Sequence, residues 1–352
     1  MRQFDYTYLA DRTWDNEIIS FIAKIHEYKG RQDLYLRQKP VELNRLIEIA
    51  KIQSTESSNR IEGIITTNAR LKQLVTDKTT PRNRDEEEIL GYRNVLNLVH
   101  ENYEFLPVRS SYILQMHRDL LKFTNLSYGG KYKTTPNEID MTLGTGEKVV
   151  IFKPLEPYET PAAIDAICEK YQEALDKELV DELILIPCFL LDFLCIHPFN
   201  DGNGRMSRLL TLLLLYRSGY MVGQYVSIEK AIADTKDAYY EALQKSDQGW
   251  HEGTNDPKPF IKYMLSIILS CYREFESRIT IAYAAGAKST SYDIVKAYVN
   301  ERIGKFSKRE VLAGCPSLGS SSVESALKKL VEDGTLVRIG AGRKTLYVRT
   351  IQ

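Results

Sequence analysis

The chain has 352 residues, of which 43% are hydrophobic and 27% charged, the composition of an ordinary soluble globular protein with two or three domains. Its 47 lysines and arginines balance 47 aspartates and glutamates, which excludes a general polyanion binder and restricts any nucleic-acid contact to one region. The five cysteines form no C-x-x-C pair and the N-terminus lacks the pattern of a secretory signal, so we expect reduced thiols, no zinc site and a cytoplasmic protein.

Apolar residues recur at helical spacing along most of the chain. The spacing predicts helices over 15–27, 43–52, 67–75, 84–103, 110–123, 160–175, 230–244 and 259–276. The apolar run 183–196 is too short to span a bilayer and contains Pro187 and Asp192, so it predicts a buried core helix and no membrane contact. The expected fold class is mainly α.

Residues 127–154 interrupt this helical pattern. They contain two glycine-rich turns, at 129–130 and 144–146, and then the apolar run 149–152. This predicts a hairpin-like insertion, and a loop of this length within a compact domain is usually functional.

The C-terminal residues form a separate unit after a small, polar segment at 282–291 that is typical of a linker. Helical patterns at 291–303, 307–313 and 320–333 precede strand patterns at 335–339 and 345–349. Three helices and a two-stranded wing predict a winged helix-turn-helix domain over 288–352.

This C-terminal domain is basic, since it has twelve Lys or Arg against six Asp or Glu, a net charge of +6. Residues 320–322 would open the recognition helix, with Ser325, Lys328 and Lys329 exposed, and Arg343 and Lys344 would form the tip of the wing. DNA binding and protein contacts, including packing between copies of the chain as a homo-oligomer, both fit this pattern.

The segment 197–208 has the sequence HPFNDGNGRMSR and lies between two apolar runs. Gly202 and Gly204 allow the backbone angles and the close approach that phosphate binding at a helix N-terminus needs. Arg205 and Arg208 are one turn apart on the helix that follows, where each can contact a phosphate oxygen. The segment therefore predicts a phosphate site.

Two further side chains of this segment point to catalysis. Asp201 is a single carboxylate beside the predicted phosphate site, which suits Mg²⁺ held jointly by protein and phosphates. His197 can be neutral near pH 7 and can then accept a proton from a hydroxyl nucleophile. Phe199 is expected to be an apolar anchor for the loop.

The same segment resembles the Fic-family motif H-x-F-x-D/E-G-N-G-R-x-x-R at every specified position, and the resemblance extends over the N-terminal helices and residues 108–215. It implies an all-helical core with a β-hairpin flap, and a protein adenylyltransferase that moves AMP from ATP to a Ser, Thr or Tyr hydroxyl of a target protein. The implied roles are His197 as general base, Asp201 as Mg²⁺ ligand, Gly202, Asn203 and Gly204 as phosphate cradle, and Arg205 and Arg208 as contacts to the leaving pyrophosphate. Residues 130–152 would be the flap, on which the target docks as an added strand.

A second motif, Ser58-Asn59-Arg60-Ile61-Glu62-Gly63, resembles the inhibitory pattern S/T-x-x-x-E-G/N of this family. Ser58 and Glu62 are four residues apart, hence on one helical face, and Gly63 is a suitable helix terminator. The resemblance implies that Glu62 pairs with Arg208 and occupies the space of the ATP γ-phosphate.

The sequence thus predicts three parts: an N-terminal helical region with the inhibitory helix (1–107), a Fic core with following helices (108–281) and the winged helix (288–352). The leading hypothesis is an autoinhibited adenylyltransferase. Two alternatives stay open, a DNA-binding regulator with a nucleotide-sensing core and predominant removal of AMP with the help of Glu62.

Overall fold

The chain is mainly helical, as expected. The computed structural model describes residues 2–38, 40–142, 148–284, 290–300, 302, 304–315, 318–340, 342 and 345–350. Its helices are α1 (Asn16–Gln38), α2 (Pro40–Ile61), α3 (Asn68–Val75), α4 (Arg84–Asn102), α5 (Ser110–Leu120), α6 (Thr160–Asp176), α7 (Glu182–Ile196), α8 (Asn203–Arg217), α9 (Ile228–Asp234), α10 (Lys236–Asp247), α11 (Lys258–Ala284), α12 (Ser291–Asn300), α13 (Lys308–Gly314) and α14 (Ser320–Glu332). Its strands are β1 (Ile139–Thr142), β2 (Lys148–Phe152), β3 (Lys305–Ser307), β4 (Leu336–Ile339) and β5 (Leu346–Arg349).

Helices α1 and α2 extend well beyond the predicted ranges 15–27 and 43–52, and one predicted helix and the predicted linker also differ from the structure. The single helix predicted over 230–244 is interrupted, because Thr235 leaves helical geometry with φ −123° and ψ 33° between α9 and α10. The predicted linker at 282–291 begins too early, since α11 continues to Ala284. Residues 285–289 of that linker lie outside the described part of the chain.

The chain forms two compact units. One contains residues 1–29 and 50–271, and the other contains 30–49 and 272–352. The predicted domain boundaries at 107 and 281 stay predictions.

The core of the first unit is built around α7. Its side chains are apolar apart from Glu182 and Asp192, and such a helix is buried nearly all round in a globular core. It packs against α6 and α8, and α4 also contacts α8. Within the described residues, no helix combines the length and the apolar character needed to cross a bilayer. All five cysteines are buried.

The insertion at 127–154 contains an antiparallel hairpin, as predicted. Strand β1 pairs with β2 in a register that places Asp140 opposite Val150 and Thr142 opposite Lys148. The predicted turn residues 144–146 lie outside the described residues. Val149 and Val150 of β2 are exposed.

The C-terminal segment has the predicted helices and one strand more than expected. Its three-stranded antiparallel sheet has the order β3-β5-β4, so the two-stranded wing was an incomplete prediction. The missed strand β3 has only three residues, too few for an alternating pattern to be visible in the sequence. Assignment as a winged helix stays a prediction, and Arg343 and Lys344 fall outside the described residues.

Candidate functional site

The loop 197–202 connects α7 to α8 and carries the predicted base. His197 follows α7 directly in the left-handed region, with φ 51° and ψ 63°, and its N–H donates to the Phe193 carbonyl at 3.0 Å. A non-glycine residue rarely adopts this conformation, so the surroundings must hold it there. Gly202 opens α8 with φ 82°, a position at which glycine carries no steric penalty.

The His197 ring is prepared to accept a proton. Its Nδ1 lies 3.2 Å from the Leu194 carbonyl oxygen, which can only accept a hydrogen bond. Nδ1 therefore carries the proton, and Nε2 keeps its lone pair. Desolvation lowers the pKa of His197 to about 4, against an upward effect of the Leu194 carbonyl, so the ring is neutral at pH 7.

The Asp201 carboxylate lies at the end of the same loop and is 41% exposed. Its Oδ1 accepts a hydrogen bond from the Gly202 N–H at 2.6 Å and lies 3.5 Å from Arg205 Nη2. Its Oδ2 faces Arg84 at 3.9 Å. The carboxylate therefore keeps an accessible oxygen beside the N-terminus of α8.

The two arginines of α8 have different partners. Arg205 is fully buried, and its Nη1 pairs with Glu88 Oε2 at 2.7 Å. Glu88 also binds Arg84, at 2.8 Å. Arg208 is also buried, but its side chain points toward the end of α2, where the predicted inhibitory residues lie.

Arg208 binds both predicted inhibitory side chains. Its Nε donates to Ser58 Oγ at 2.8 Å, and its Nη2 donates to the Ser58 carbonyl at 2.9 Å and to Glu62 Oε1 at 2.7 Å. Glu62 lies one residue past the end of α2, and Gly63 follows with φ 80°. Burial alone would raise the pKa of Glu62, but the charge of Arg208 and its hydrogen bond outweigh that effect and hold the pKa below its usual range.

Glu62 also occupies the space in front of α8. A Cβ added at Gly204 would collide with the Glu62 carboxylate, so the glycine is what allows this close approach. The carboxylate thus lies at a helix N-terminus, where unpaired N–H groups favour an anion. An anionic side chain of the protein occupies the position predicted for phosphate.

Asn203 has a different contact from the one expected for a phosphate cradle. Its side chain is buried, accepts from the Phe199 N–H at 2.9 Å and donates to the Phe199 carbonyl at 2.7 Å. Only its backbone N–H is left to face an anion. Phe199 is fully buried and stacks on the His117 ring with centroids 3.7 Å apart, which confirms it as an apolar anchor.

Several residues at this site were not found from the sequence. His117 accepts from the Gly130 N–H at 3.1 Å and contacts the Asp201 carbonyl at 3.0 Å. Lys133 and Asn137 contact the backbone on the His197 side of the loop. None of these residues carries a pattern of its own, and only the fold brings them to the loop.

Comparison with known proteins gives this arrangement a family context. Residues 107–215 match the family model described as the Fic/DOC family. The protein adenylyltransferase Fic of Culex quinquefasciatus is 26% identical over 233 residues, covering 63% of this chain and 41% of that protein. Its namesake in Nematostella vectensis is 25% identical over 232 residues, covering 63% and 48%. The match thus spans less than half the length of these relatives.

Solved structures agree on the fold. A Fic family protein from Desulfovibrio desulfuricans aligns with a TM-score of 0.62 at 19% identity, covering 97% of this chain and 98% of that one. A Fic domain-containing signalling protein from Bacteroides thetaiotaomicron aligns with a TM-score of 0.58 at 24% identity, covering 82% and 100%. At these identities the likeness concerns the fold alone.

Proposed function

Since residues 107–215 of this chain form a Fic domain, we propose that the protein is an adenylyltransferase that moves AMP from ATP to a Ser, Thr or Tyr hydroxyl of a target protein. The observation that carries the proposal is His197, whose Nδ1 faces the Leu194 carbonyl and whose Nε2 is left to accept a proton, beside a helix N-terminus that holds the Glu62 carboxylate. The names of the curated relatives support the same reaction.

His197 acts as the general base in this proposal. The hydroxyl oxygen of the target attacks the α-phosphorus of ATP, its proton moves to His197 Nε2, and the bond to the bridging oxygen of pyrophosphate breaks. The tautomer fixed by the Leu194 carbonyl leaves Nε2 as the accepting atom. A base whose pKa is about 4 is unprotonated over the whole physiological range, so it is always available.

The N-terminus of α8 binds the phosphates. Gly202 and Gly204 let the chain approach closely, and the backbone N–H groups of the first turn point outward. Arg208 adds a full positive charge close to this helix N-terminus. Its partner Glu62 lies directly in front of Gly204, so the guanidinium is within one side chain of the proposed phosphate site. Arg205 adds a second charge beside Asp201.

Asp201 fits the role of a Mg²⁺ ligand. It is a partly exposed carboxylate beside the N-terminus of α8. Mg²⁺ is typically held by one or two carboxylates together with substrate phosphates, which matches a single carboxylate beside a phosphate cradle. When bound, the ion would neutralise charge on the leaving pyrophosphate.

The target docks on the hairpin of β1 and β2. A two-stranded hairpin has edge strands that can accept a further strand from a partner, and the exposed Val149 and Val150 give that partner apolar contacts. The hairpin would thereby bring a target hydroxyl to His197.

Glu62 restrains this activity by competing for the charge of Arg208. Its carboxylate forms a 2.7 Å ion pair with Arg208 and lies in front of Gly204, where it excludes the γ-phosphate from the most favourable position. The side chain is still one-third exposed, so it can leave without unfolding the core. Restraint by a displaceable contact is the regulation that this geometry supports best.

The test is labelling of lysate proteins with ATP that is radioactive at either the α- or the γ-phosphate. Wild type, Glu62→Gly and His197→Ala are compared, each with Mg²⁺. We expect label from α-labelled ATP only, strongest for Glu62→Gly and absent for His197→Ala. Label from γ-labelled ATP would replace AMP transfer with kinase chemistry, and label that the wild-type protein removes again would favour AMP removal.

A further inference from the structure

Four successive carbonyl oxygens around His197 are held from one side by the stem of the hairpin, residues 130–138. Lys133 Nζ donates to the Ile196 carbonyl at 3.0 Å, and the Lys133 N–H donates to the Pro198 carbonyl at 2.9 Å. Asn137 Nδ2 donates to the carbonyls of His197 at 3.2 Å and Phe199 at 3.1 Å. The pattern is continuous, because no carbonyl between 196 and 199 is skipped.

Lys133 and Asn137 also bind each other. Lys133 Nζ donates to Asn137 Oδ1 at 2.8 Å, which orients the amide so that its Nδ2 faces the loop. The Lys133 side chain is almost fully buried, an unusual place for a lysine on a loop. A buried ammonium is tolerated only where it is hydrogen-bonded. Lys133 Nζ donates two hydrogen bonds here, to Asn137 Oδ1 and to the Ile196 carbonyl.

We propose that Lys133 and Asn137 are positioning residues that hold His197 in its left-handed conformation and tie the base to the target-docking hairpin. The proposal deepens the function proposed above and rests on it. Neither side chain contacts the reacting atoms; each acts through the backbone of the loop. Asn137 lies two residues before β1. A movement of the hairpin would therefore change the position of Asn137 and, through its hydrogen bond, the backbone conformation of His197.

Charge adds a second effect of Lys133. Burial lowers the pKa of Lys133 to about 8, so the ammonium is still protonated near pH 7. Its positive charge lowers the pKa of His197, while Glu62 and Asp201 raise it. Removing the Lys133 charge therefore removes a repulsion of the imidazolium, and the pKa of His197 must rise.

This effect can be measured without any enzymatic activity. In histidine-labelled full-length protein, the imidazole NMR shifts at pH 5 report the ratio of protonated to neutral His197, assigned with His197→Ala. We expect Lys133→Met to raise this ratio about threefold or more. Lys133→Arg should leave it near the wild-type value, and so should the matched control Lys131→Met, because Lys131 is exposed and binds the Ser127 carbonyl. An unchanged ratio in folded Lys133→Met would overturn the role of Lys133.

Asn137→Ala tests the mechanical link. In the Glu62→Gly background we expect kcat for AMP incorporation to fall about tenfold to a hundredfold with the KM for ATP unchanged, since a misplaced base affects the chemical step alone. Asn125→Ala, at an exposed position upstream of the stem, is the control. A raised KM with normal kcat, or no change, would overturn the proposal for Asn137.

The two readouts separate this proposal from the function it rests on. If no variant, including Glu62→Gly, incorporates AMP, then the proposed reaction fails, whereas the NMR ratio still decides whether Lys133 sets the state of His197. If Glu62→Gly is active but both measurements are unchanged, only the positioning role fails.

Discussion

The loop between α7 and α8 and the C-terminal segment 291–349 differ in what they bury. Around the loop, charged side chains are buried and each faces a partner from another element: Glu88, Lys133, Arg205 and Arg208. Among the described residues of the C-terminal segment, the buried core consists of apolar groups such as Val295, Leu327 and Leu330. Its exposed charges include Lys328 and Lys329.

The difference determines for which region a ligand can be inferred from the charged residues. A buried charge is costly unless it is paired, so its partners define what the site can bind. A surface charge is tolerated almost anywhere and has many explanations. The buried charges around the loop therefore indicate a site for an anion, whereas the C-terminal segment leaves DNA and protein partners both open.

The largest effect is expected at His197. His197→Ala should lower AMP incorporation by Glu62→Gly about 10²–10⁴-fold, since it removes the proton acceptor while leaving the phosphate site intact. Incorporation from α-labelled ATP is the measurement. His26→Ala is the control, because His26 is a partly exposed partner of Asp181. An equal loss in both variants would contradict a specific role for His197.

The next effect concerns Asp192, a buried charge of the first unit. Asp192 accepts from Trp250 Nε1 at 2.7 Å and from Tyr6 Oη at 2.9 Å, and it pairs with Arg2 at 3.3 Å. Asp192→Ala leaves these groups without their acceptor and should cost about 3–5 kcal/mol of unfolding free energy. Chemical denaturation followed by tryptophan fluorescence measures this, since Trp250 lies in the cluster.

A charge on the C-terminal surface provides the contrast with Asp192. Glu324 pairs with Lys308 at 2.7 Å while 71% of its side chain is exposed. Glu324→Ala should leave the unfolding free energy close to that of wild type, because solvent screens an exposed ion pair. A cost comparable to that of Asp192→Ala would break the contrast between the two regions.

A third prediction is that destabilising the C-terminal core leaves AMP incorporation almost unchanged. Leu327 is fully buried in that core, and Leu327→Ala should destabilise it by about 2–5 kcal/mol. AMP incorporation in the Glu62→Gly background should stay within about twofold, since the reacting groups lie in the first unit. Calorimetry and the labelling assay are run side by side, with Val337→Ala at an exposed position as the control. Loss of activity here would mean that the C-terminal segment takes part in catalysis.

The smallest effect tests the basic surface. If α14 binds DNA, Lys328→Gln combined with Lys329→Gln should reduce the slope of log K against log salt by about one for each phosphate that the variant no longer neutralises. Fluorescence anisotropy with duplex DNA at several salt concentrations provides the slope, and Lys245→Gln on α10 serves as the control. No binding of wild type at low salt would leave protein contacts as the interpretation of this segment.

Most of the helices could be predicted from the sequence because their apolar stripes are local patterns. The C-terminal ends of α1 and α2 were missed. In α2 the polar residues Ser54 and Ser58 are buried by partners that are distant in sequence, Glu229 and Arg208. The break at Thr235 depends on local backbone geometry that periodicity does not encode.

At the candidate site, too, some contacts could be predicted from sequence motifs and others could not. The ion pair between Glu62 and Arg208 was predicted from two motifs and is present at 2.7 Å. The inward side chain of Asn203 was not predicted, and neither were the contacts of Lys133 and Asn137, because an isolated lysine or asparagine has no spacing to recognise. Sequence motifs indicated the residues proposed to react, whereas the residues that support them could be found only from the fold.

Restraint by the charge of Glu62 is tested most directly by the initial rate of AMP incorporation from α-labelled ATP by Glu62→Gln. This variant keeps the size of the side chain and removes the charge that competes for Arg208. The account predicts a rate well above wild type, about tenfold or more and approaching Glu62→Gly, while Glu56→Gln on the exposed face of α2 stays at the wild-type rate. A Glu62→Gln rate equal to that of wild type would contradict restraint by charge, and equal rates for Glu62→Gly and wild type would contradict restraint altogether.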